Sequence, residues 1–283
     1  MPKMLTNSQI AQYRDEGYLA PIRVIGEAEA AGLRAALESV EARMGGPLRG
    51  DLRHKSHLLF PFLADLVRHP LLLDAVEDLI GPDILCWSSS FFIKEAANPG
   101  FVSWHQDSTY WGLSAPEVAT AWVALTPSNA ENGAMAVIPG SHRMDQVPHR
   151  DTFHRHNLLT RGQEIAVEVD ESKAGLLILR PGEMSLHHVR LVHGSAPNPS
   201  CDRRIGFAIR YLPTRIRQLE GEDSATLVRG SDRYGHFELE PRPDGEMTPA
   251  MMALHSRIAE RNARILYRGT GVASFNDPEA IRG

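Results

Sequence analysis

From residue 84 to residue 212 the chain reads as short apolar runs set between turn residues, a pattern that leaves few folds open. Runs at 84–94, 102–107 and 119–126 are strand-like. Asn132-Gly133, the strongest short-range hairpin signal, joins the last of these to a run at 134–138. Further strands are expected at 164–169, 176–179, 184–188 and 204–212. Pro139-Gly140, Pro181-Gly182 and Pro197-Asn198-Pro199 punctuate them. About eight short strands suit a jelly roll, in which two sheets face each other.

The flanks differ in character. Thr6 and Gln9 form a capping-box pattern for a short helix that Gly17 ends. Leu33, Leu37, Val40 and Met44 make a helical stripe within 27–44, and Leu72, Val76 and Leu79 mark another helix stopped by Gly81-Pro82. Thr248-Pro249 opens a last amphipathic helix carrying Met252, Ile258 and Ile265. No stretch has the composition of a linker, so the chain reads as one catalytic domain over 1–283. Within it, 1–82 is a helical N-terminal part and 83–212 a jelly-roll core interrupted by a loop near 141–163. Residues 213–283 form a lid-like segment and the C-terminal helix. Polar segments as long as 141–163 and 213–247 are usually functional lids or disordered.

Composition narrows the partners. A chain that is 42% hydrophobic can bury a sizeable core. A net charge of −5 argues against nucleic acid or an anionic membrane as partner and leaves a small molecule. No apolar run approaches the length of a membrane span, and no signal peptide is evident at the N-terminus. The two cysteines, Cys86 and Cys201, are far apart, which fits a reducing cytoplasm and excludes a cysteine-based metal site.

The chemistry concentrates in two segments. Trp104-His105-Gln106-Asp107 ends one strand-like run, and His193-Gly194-Ser195 follows 88 positions after His105. Side chains two apart on a strand share a face, so His105 and Asp107 can point the same way. Two imidazoles and one carboxylate can hold a divalent iron on one side and leave the other open. His149-Arg150-Asp151 and His236-Phe237-Glu238 have similar spacing but lie in polar stretches without apolar alternation. His187 and His188 are rivals of His193, or partners that orient a ligand.

On the run 204–211, alternation puts Arg204, Gly206, Ala208 and Arg210 on one face and Ile205, Phe207, Ile209 and Tyr211 on the other. Arginines sharing a face with two small residues suggest a cavity that admits an anion, and a guanidinium grips a carboxylate through two hydrogen bonds.

Together these segments resemble the phytanoyl-CoA dioxygenase family of iron(II)- and 2-oxoglutarate-dependent oxygenases. The carriers are Trp104-His105-Gln106-Asp107, Trp122, Glu131-Asn132-Gly133, Ile138-Pro139-Gly140-Ser141-His142, His193-Gly194-Ser195 with Asn198, and Arg204. The likeness covers about residues 80–212. It implies a double-stranded β-helix (cupin-like) barrel with iron on His105, Asp107 and His193. It also implies that Arg204 salt-bridges the distal carboxylate of 2-oxoglutarate, with Ser195 and Trp122 lining that pocket. Asn132-Gly133 and Pro139-Gly140-Ser141-His142 read as hairpin and turn. Related halogenases lack the carboxylate, so Asp107 points to hydroxylation or another oxidation and away from halogenation.

The expected reaction consumes dioxygen and 2-oxoglutarate, releases succinate and carbon dioxide, and hydroxylates a small polar or anionic metabolite. Ser88, Ser90, Tyr110, Trp111 and Arg210 are the candidate substrate residues. Read from the residues alone, two alternatives stay open: a cupin-type metal enzyme that does not use 2-oxoglutarate, and a non-catalytic ligand-binding barrel.

Overall fold

The computed structural model describes residues 2–277; Met1 and residues 278–283, which belong to the expected domain, lie outside the described residues. Helix α1 (Asn7–Glu16) opens with both halves of the Thr6–Gln9 capping box. Strand β1 (Tyr18–Arg23) follows at once, then α2 (Glu27–Met44), α3 (Pro61–Leu66) and α4 (Pro70–Ile80). Next come β2 (Ile84–Lys94), β3 (Val102–His105), β4 (Ala119–Ala124), β5 (Met135–Val137), β6 (His149–Arg150), β7 (Glu164–Ile165) and β8 (Gly175–Leu176). The chain continues through β9 (Glu183–His188), β10 (His193–Ser195), β11 (Arg204–Pro213), β12 (Ser224–Arg229) and β13 (Glu238–Leu239) to α5 (Pro249–Leu266).

The strands form a seven-stranded sheet ordered β1-β9-β4-β11-β2-β12-β13, a four-stranded sheet ordered β3-β10-β5-β8, and a small β6-β7 pair. This is a sheet-rich jelly roll with helices at its periphery. β11 is central and long, pairing with β2 on one side and β4 on the other. Its odd-numbered residues Ile205, Phe207, Ile209 and Tyr211 are fully buried in the main core with Leu37, Leu63, Leu72 and Val76 from the helices. Each such side chain contributes about 1.5–3 kcal/mol by leaving water. The Tyr211 hydroxyl donates to Val67 O at 2.9 Å, so this buried polar atom is satisfied. The even-numbered face of β11 therefore turns away from the helices, toward the small sheet.

Four expectations need correction. The first 82 residues are not all helical, because β1 completes the edge of the large sheet beside β9. Asn132-Gly133 is not a hairpin: β4 and β5 lie in different sheets, and the dipeptide closes a short 3-10 turn, Ala130–Asn132. Gly133 has the left-handed φ of 71° that makes Asn-Gly a turn signal, but here the turn carries the chain across to the other sheet. The strand before Asp107 stops at His105, and Asp107 begins a 3-10 turn, Asp107–Tyr110. Finally, 213–247 is not structureless, since β12 pairs with β2 inside the large sheet.

That segment is held by a buried polar cluster. Lys55 Nζ meets Glu240 Oε1 and Ser224 O, each at 2.6 Å, while Thr226 Oγ1 donates to Glu240 Oε2 at 2.7 Å. His57 joins it to β2 through Ser89, 2.7 Å from its Nδ1. Cys86 and Cys201 are both free thiols, the first buried and the second exposed. Among the described residues no helix is long and apolar enough to cross a membrane.

Candidate metal centre and its cavities

The antiparallel pairing of β3 with β10 sets His193 directly opposite His105. Their rings lie 4.1 Å apart between centroids. His105 Nδ1 faces Ser103 O at 2.9 Å and His193 O at 3.0 Å, and His193 Nδ1 faces Leu191 O at 2.9 Å. Carbonyls only accept, so both rings place a proton on Nδ1 and turn Nε2 toward the space a metal would take. Asp107 enters from the 3-10 turn with Oδ1 3.4 Å from His105 Nε2. Its backbone N–H is fixed on Val189 O at 3.0 Å. One ligand atom from each of His105, Asp107 and His193 lies within 4.8 Å of the others, and all three residues are buried. Two imidazoles and a carboxylate on one side of a cavity are a donor set that fits divalent iron with open positions.

The electrostatics agree with that fit. Burial would raise the Asp107 carboxyl, but His105 and the nearby His193 and Arg210 outweigh it and hold the group well below the usual carboxylate range. Burial, then the neighbouring His105, holds the His193 imidazole neutral. His187 is pushed down to about 4 by burial, and its Nε2 lies 3.9 Å from Asp107 Oδ2. It lines the same cavity without joining the three-ligand group.

Beside the three ligands is a small cavity of about 30 Å³ between the sheets, walled by Phe92, Val102, Trp122, Met135 and Ala208. Arg204 reaches it from β11 and donates to Gly133 O at 2.5 Å, with its guanidinium 5.2 Å from the Trp122 ring. Sequence reasoning missed its companion. Lys94 stands opposite Arg204 in the β2–β11 register, and its Nζ contacts Ser195 Oγ at 2.7 Å, Gly133 O at 3.3 Å and Ala196 O. Both cations are buried, and neither pairs with a carboxylate among the described residues. Burial, and then Arg204, lowers Lys94 to about 6; burial lowers Arg204 to about 10. A buried guanidinium without a carboxylate partner, beside an amine that a bound anion would protonate, can receive a carboxylate. Gly133, read from sequence as turn structure, supplies the carbonyl that both cations share. A Cβ there would lie 2.2 Å from Ala196 O, so the close approach needs glycine.

A larger cavity of about 390 Å³ shares Phe92, Asp107 and Arg210 with the small one. Ser88, Ser90 and Trp111 line it, and Trp111 packs on Trp87 at 4.9 Å. Tyr110 lines neither cavity: its hydroxyl donates to Asp151 at 2.7 Å and the Arg161 guanidinium lies over its ring at 3.7 Å. The competing motifs are occupied elsewhere. His149 Nε2 accepts the Gln106 N–H at 2.9 Å, Asp151 pairs with Arg161, and Glu238 pairs with Arg261.

Residues 13–206 match the family described as Phytanoyl-CoA dioxygenase (PhyH). The chain belongs to that family. Among its relatives is the probable alpha-ketoglutarate-dependent hypophosphite dioxygenase of Stutzerimonas stutzeri, 32% identical over 184 residues, which are 64% of this chain and 60% of that protein. The chain thus spans less than two thirds of that relative's length. The non-heme monooxygenase ThoJ, in its apo structure, superimposes with a TM-score of 0.82 at 34% identity, covering 91% of this chain and 97% of that one. CytC3 with Fe(II) and alpha-ketoglutarate gives a TM-score of 0.63 at 25% identity, covering 87% and 97%. The double-sheet architecture inferred above is therefore the family's own.

Proposed function

We propose that this family member is an iron(II)- and 2-oxoglutarate-dependent oxygenase that hydroxylates a small metabolite and releases succinate and carbon dioxide. The observation that carries this reading is the adjacency of the His105–Asp107–His193 group to the buried, uncompensated pair Lys94 and Arg204. When bound, the iron, 2-oxoglutarate and dioxygen supply the oxidising chemistry.

The chain's own residues supply the rest. His105 and His193 hold the metal through Nε2, kept in one tautomer by the carbonyls behind them. Asp107 completes the set and neutralises part of the metal charge. Its presence leaves no ligand position for a halide, which favours hydroxylation over halogenation. Arg204 and Lys94 take the distal carboxylate of 2-oxoglutarate, with Ser195 contacting Lys94 and Trp122 covering the guanidinium. Phe92, Val102 and Met135 keep water from that pocket. The larger cavity, opening on Asp107, is where the substrate sits. Two free thiols suit a reducing compartment such as the cytoplasm.

Anaerobic titration of the apo-protein with iron(II) and then 2-oxoglutarate tests this by the visible charge-transfer band of the chelate. The band should disappear in His193→Ala. In Arg204→Ala iron should still bind, while 2-oxoglutarate affinity falls about tenfold or more through loss of a charge-assisted contact. No band with iron retained would indicate a metal enzyme of another chemistry. No iron binding would leave a ligand-binding barrel.

A further inference from the structure

The charges on the larger cavity are unbalanced. Arg49, Arg53 and Arg210 line it, against the carboxylates of Glu95 and Asp107. Glu95 is already engaged, 2.8 Å from Arg203 Nε, and Asp107 belongs to the metal group. None of the three cavity arginines makes an ion pair with a carboxylate among the described residues. Other arginines do: the buried Arg161 pairs with Asp151, and the half-buried Arg203 with Glu41 at 2.7 Å.

Arg210 is the decisive one. It is 7% exposed, its Nη1 donates to Ser90 Oγ at 3.0 Å, and its Nε is buried without a partner. The Asp107 carboxylate acts on its charge from nearby, but the guanidinium makes one hydrogen bond, to a neutral hydroxyl, and leaving its other N–H groups buried is costly unless an acceptor completes the set. Its walls hold it in place, with Phe92 and Trp111 each 5.6 Å from the guanidinium carbon. Arg53 stands nearby with its Nη2 on Phe91 O at 3.2 Å, and between the two is His54, stacked on Phe275 at 4.1 Å. Burial, then Arg53 and Arg210, lowers His54 to about 3, so this imidazole adds no charge of its own. Arg49 is exposed at the same cavity.

We infer that the substrate carries an anionic oxyacid group, a carboxylate or phosphonate, which Arg210 and Ser90 bind at the metal-facing end of the larger cavity, with Arg53 adding charge. This rests on the oxygenase reading above and deepens it by assigning the substrate class. β11 then carries one guanidinium for each of two anions. Arg204 serves the cosubstrate and Arg210 the substrate, six residues or about 20 Å of strand apart, with the metal group between them.

The test uses intact protein loaded with zinc in place of iron and saturated with 2-oxoglutarate, so that no turnover occurs and the cosubstrate site is filled. Trp87 and Trp111 line the cavity, so their fluorescence reports occupancy. Butyrate, propylphosphonate and uncharged butyramide are the probes. At least one acid should bind about tenfold or more tightly than the amide, and which acid does so distinguishes carboxylate from phosphonate. Arg210→Gln should remove the preference, Arg210→Lys should restore part of it, and Arg53→Gln should weaken it. Equal binding of acids and amide, no acid binding, or an unchanged preference in a folded Arg210→Gln protein would overturn the inference. The charge-transfer band separates the two levels. If the band forms and no acid preference is seen, only this inference fails; if the band is absent, the oxygenase reading itself fails.

Discussion

Replacing Lys94 with methionine removes a buried amine beside Arg204, and the effect should show first in how 2-oxoglutarate affinity depends on pH. In the empty pocket, burial and then Arg204 lower Lys94 to about 6, so it is mostly neutral at neutral pH. A bound carboxylate opposes both causes and raises it. The complex therefore holds one more proton than the free protein. Above about pH 6 each further unit should weaken 2-oxoglutarate binding about tenfold, until the raised value is reached. Below that point Lys94 is charged beforehand and affinity levels off. From about pH 6.5 to about pH 8.5 the loss amounts to about a hundredfold. Anaerobic calorimetry on iron-loaded protein, in two buffers of different ionisation enthalpy, counts the proton directly. Lys94→Met should bind more weakly at the acid end and lose the slope. A flat profile in the natural protein, or the same slope in Lys94→Met, would refute the reasoning.

Two further outcomes probe the scaffold. Gly206→Ala would put a Cβ 1.8 Å from the Trp122 ring, so the indole, which walls the small cavity, must shift. Overpacking of this kind costs about 1–3 kcal/mol; thermal denaturation should show it, and 2-oxoglutarate titration should weaken while iron binding persists. Lys55→Met should destabilise the fold by about 3–5 kcal/mol in urea titration, because it leaves a buried carboxylate without its cation. Burial raises the Glu240 carboxyl, but Lys55 and His57 outweigh it and hold the group well below the usual range. Its stabilisation is therefore present above the unfolded value near 4.3 and lost as pH falls below it. In Lys55→Met that acid-side loss should shrink.

How much of this was written locally can be judged strand by strand. β11 announced itself, because strict alternation over the eight residues 204–211 reflects one face in the core and one on a cavity. β2 was equally clear, being buried along its length. β10 was not: three residues carry no periodicity, and His193 is placed by pairing with both β3 and β5. Lys94 was invisible as a site residue for a related reason, since only the cross-strand register brings it opposite Arg204. Gly133 shows the converse. Asn132-Gly133 was read as a hairpin, but the left-handed dihedrals of Gly133 serve a hairpin and a crossover alike, and only the partner strands distinguish them. Asp107 sits two residues beyond the end of its strand, where a 3-10 turn aims the carboxylate that alternation was expected to aim.

The sheet order has a consequence for assembly. Apart from β12 and β13, no strand of the large sheet lies beside its neighbour in sequence. β1 waits for β9, with Tyr18 paired to His187, and β2 waits for β11. Such distant pairings close slowly and leave strand edges open meanwhile. His105 and His193 meet only when β3 and β10 pair, so a growing chain that has emerged only as far as Asp107 holds just two of its three ligands. On the proposed function, metal capture is therefore a late event, made once β10 has joined the sheet.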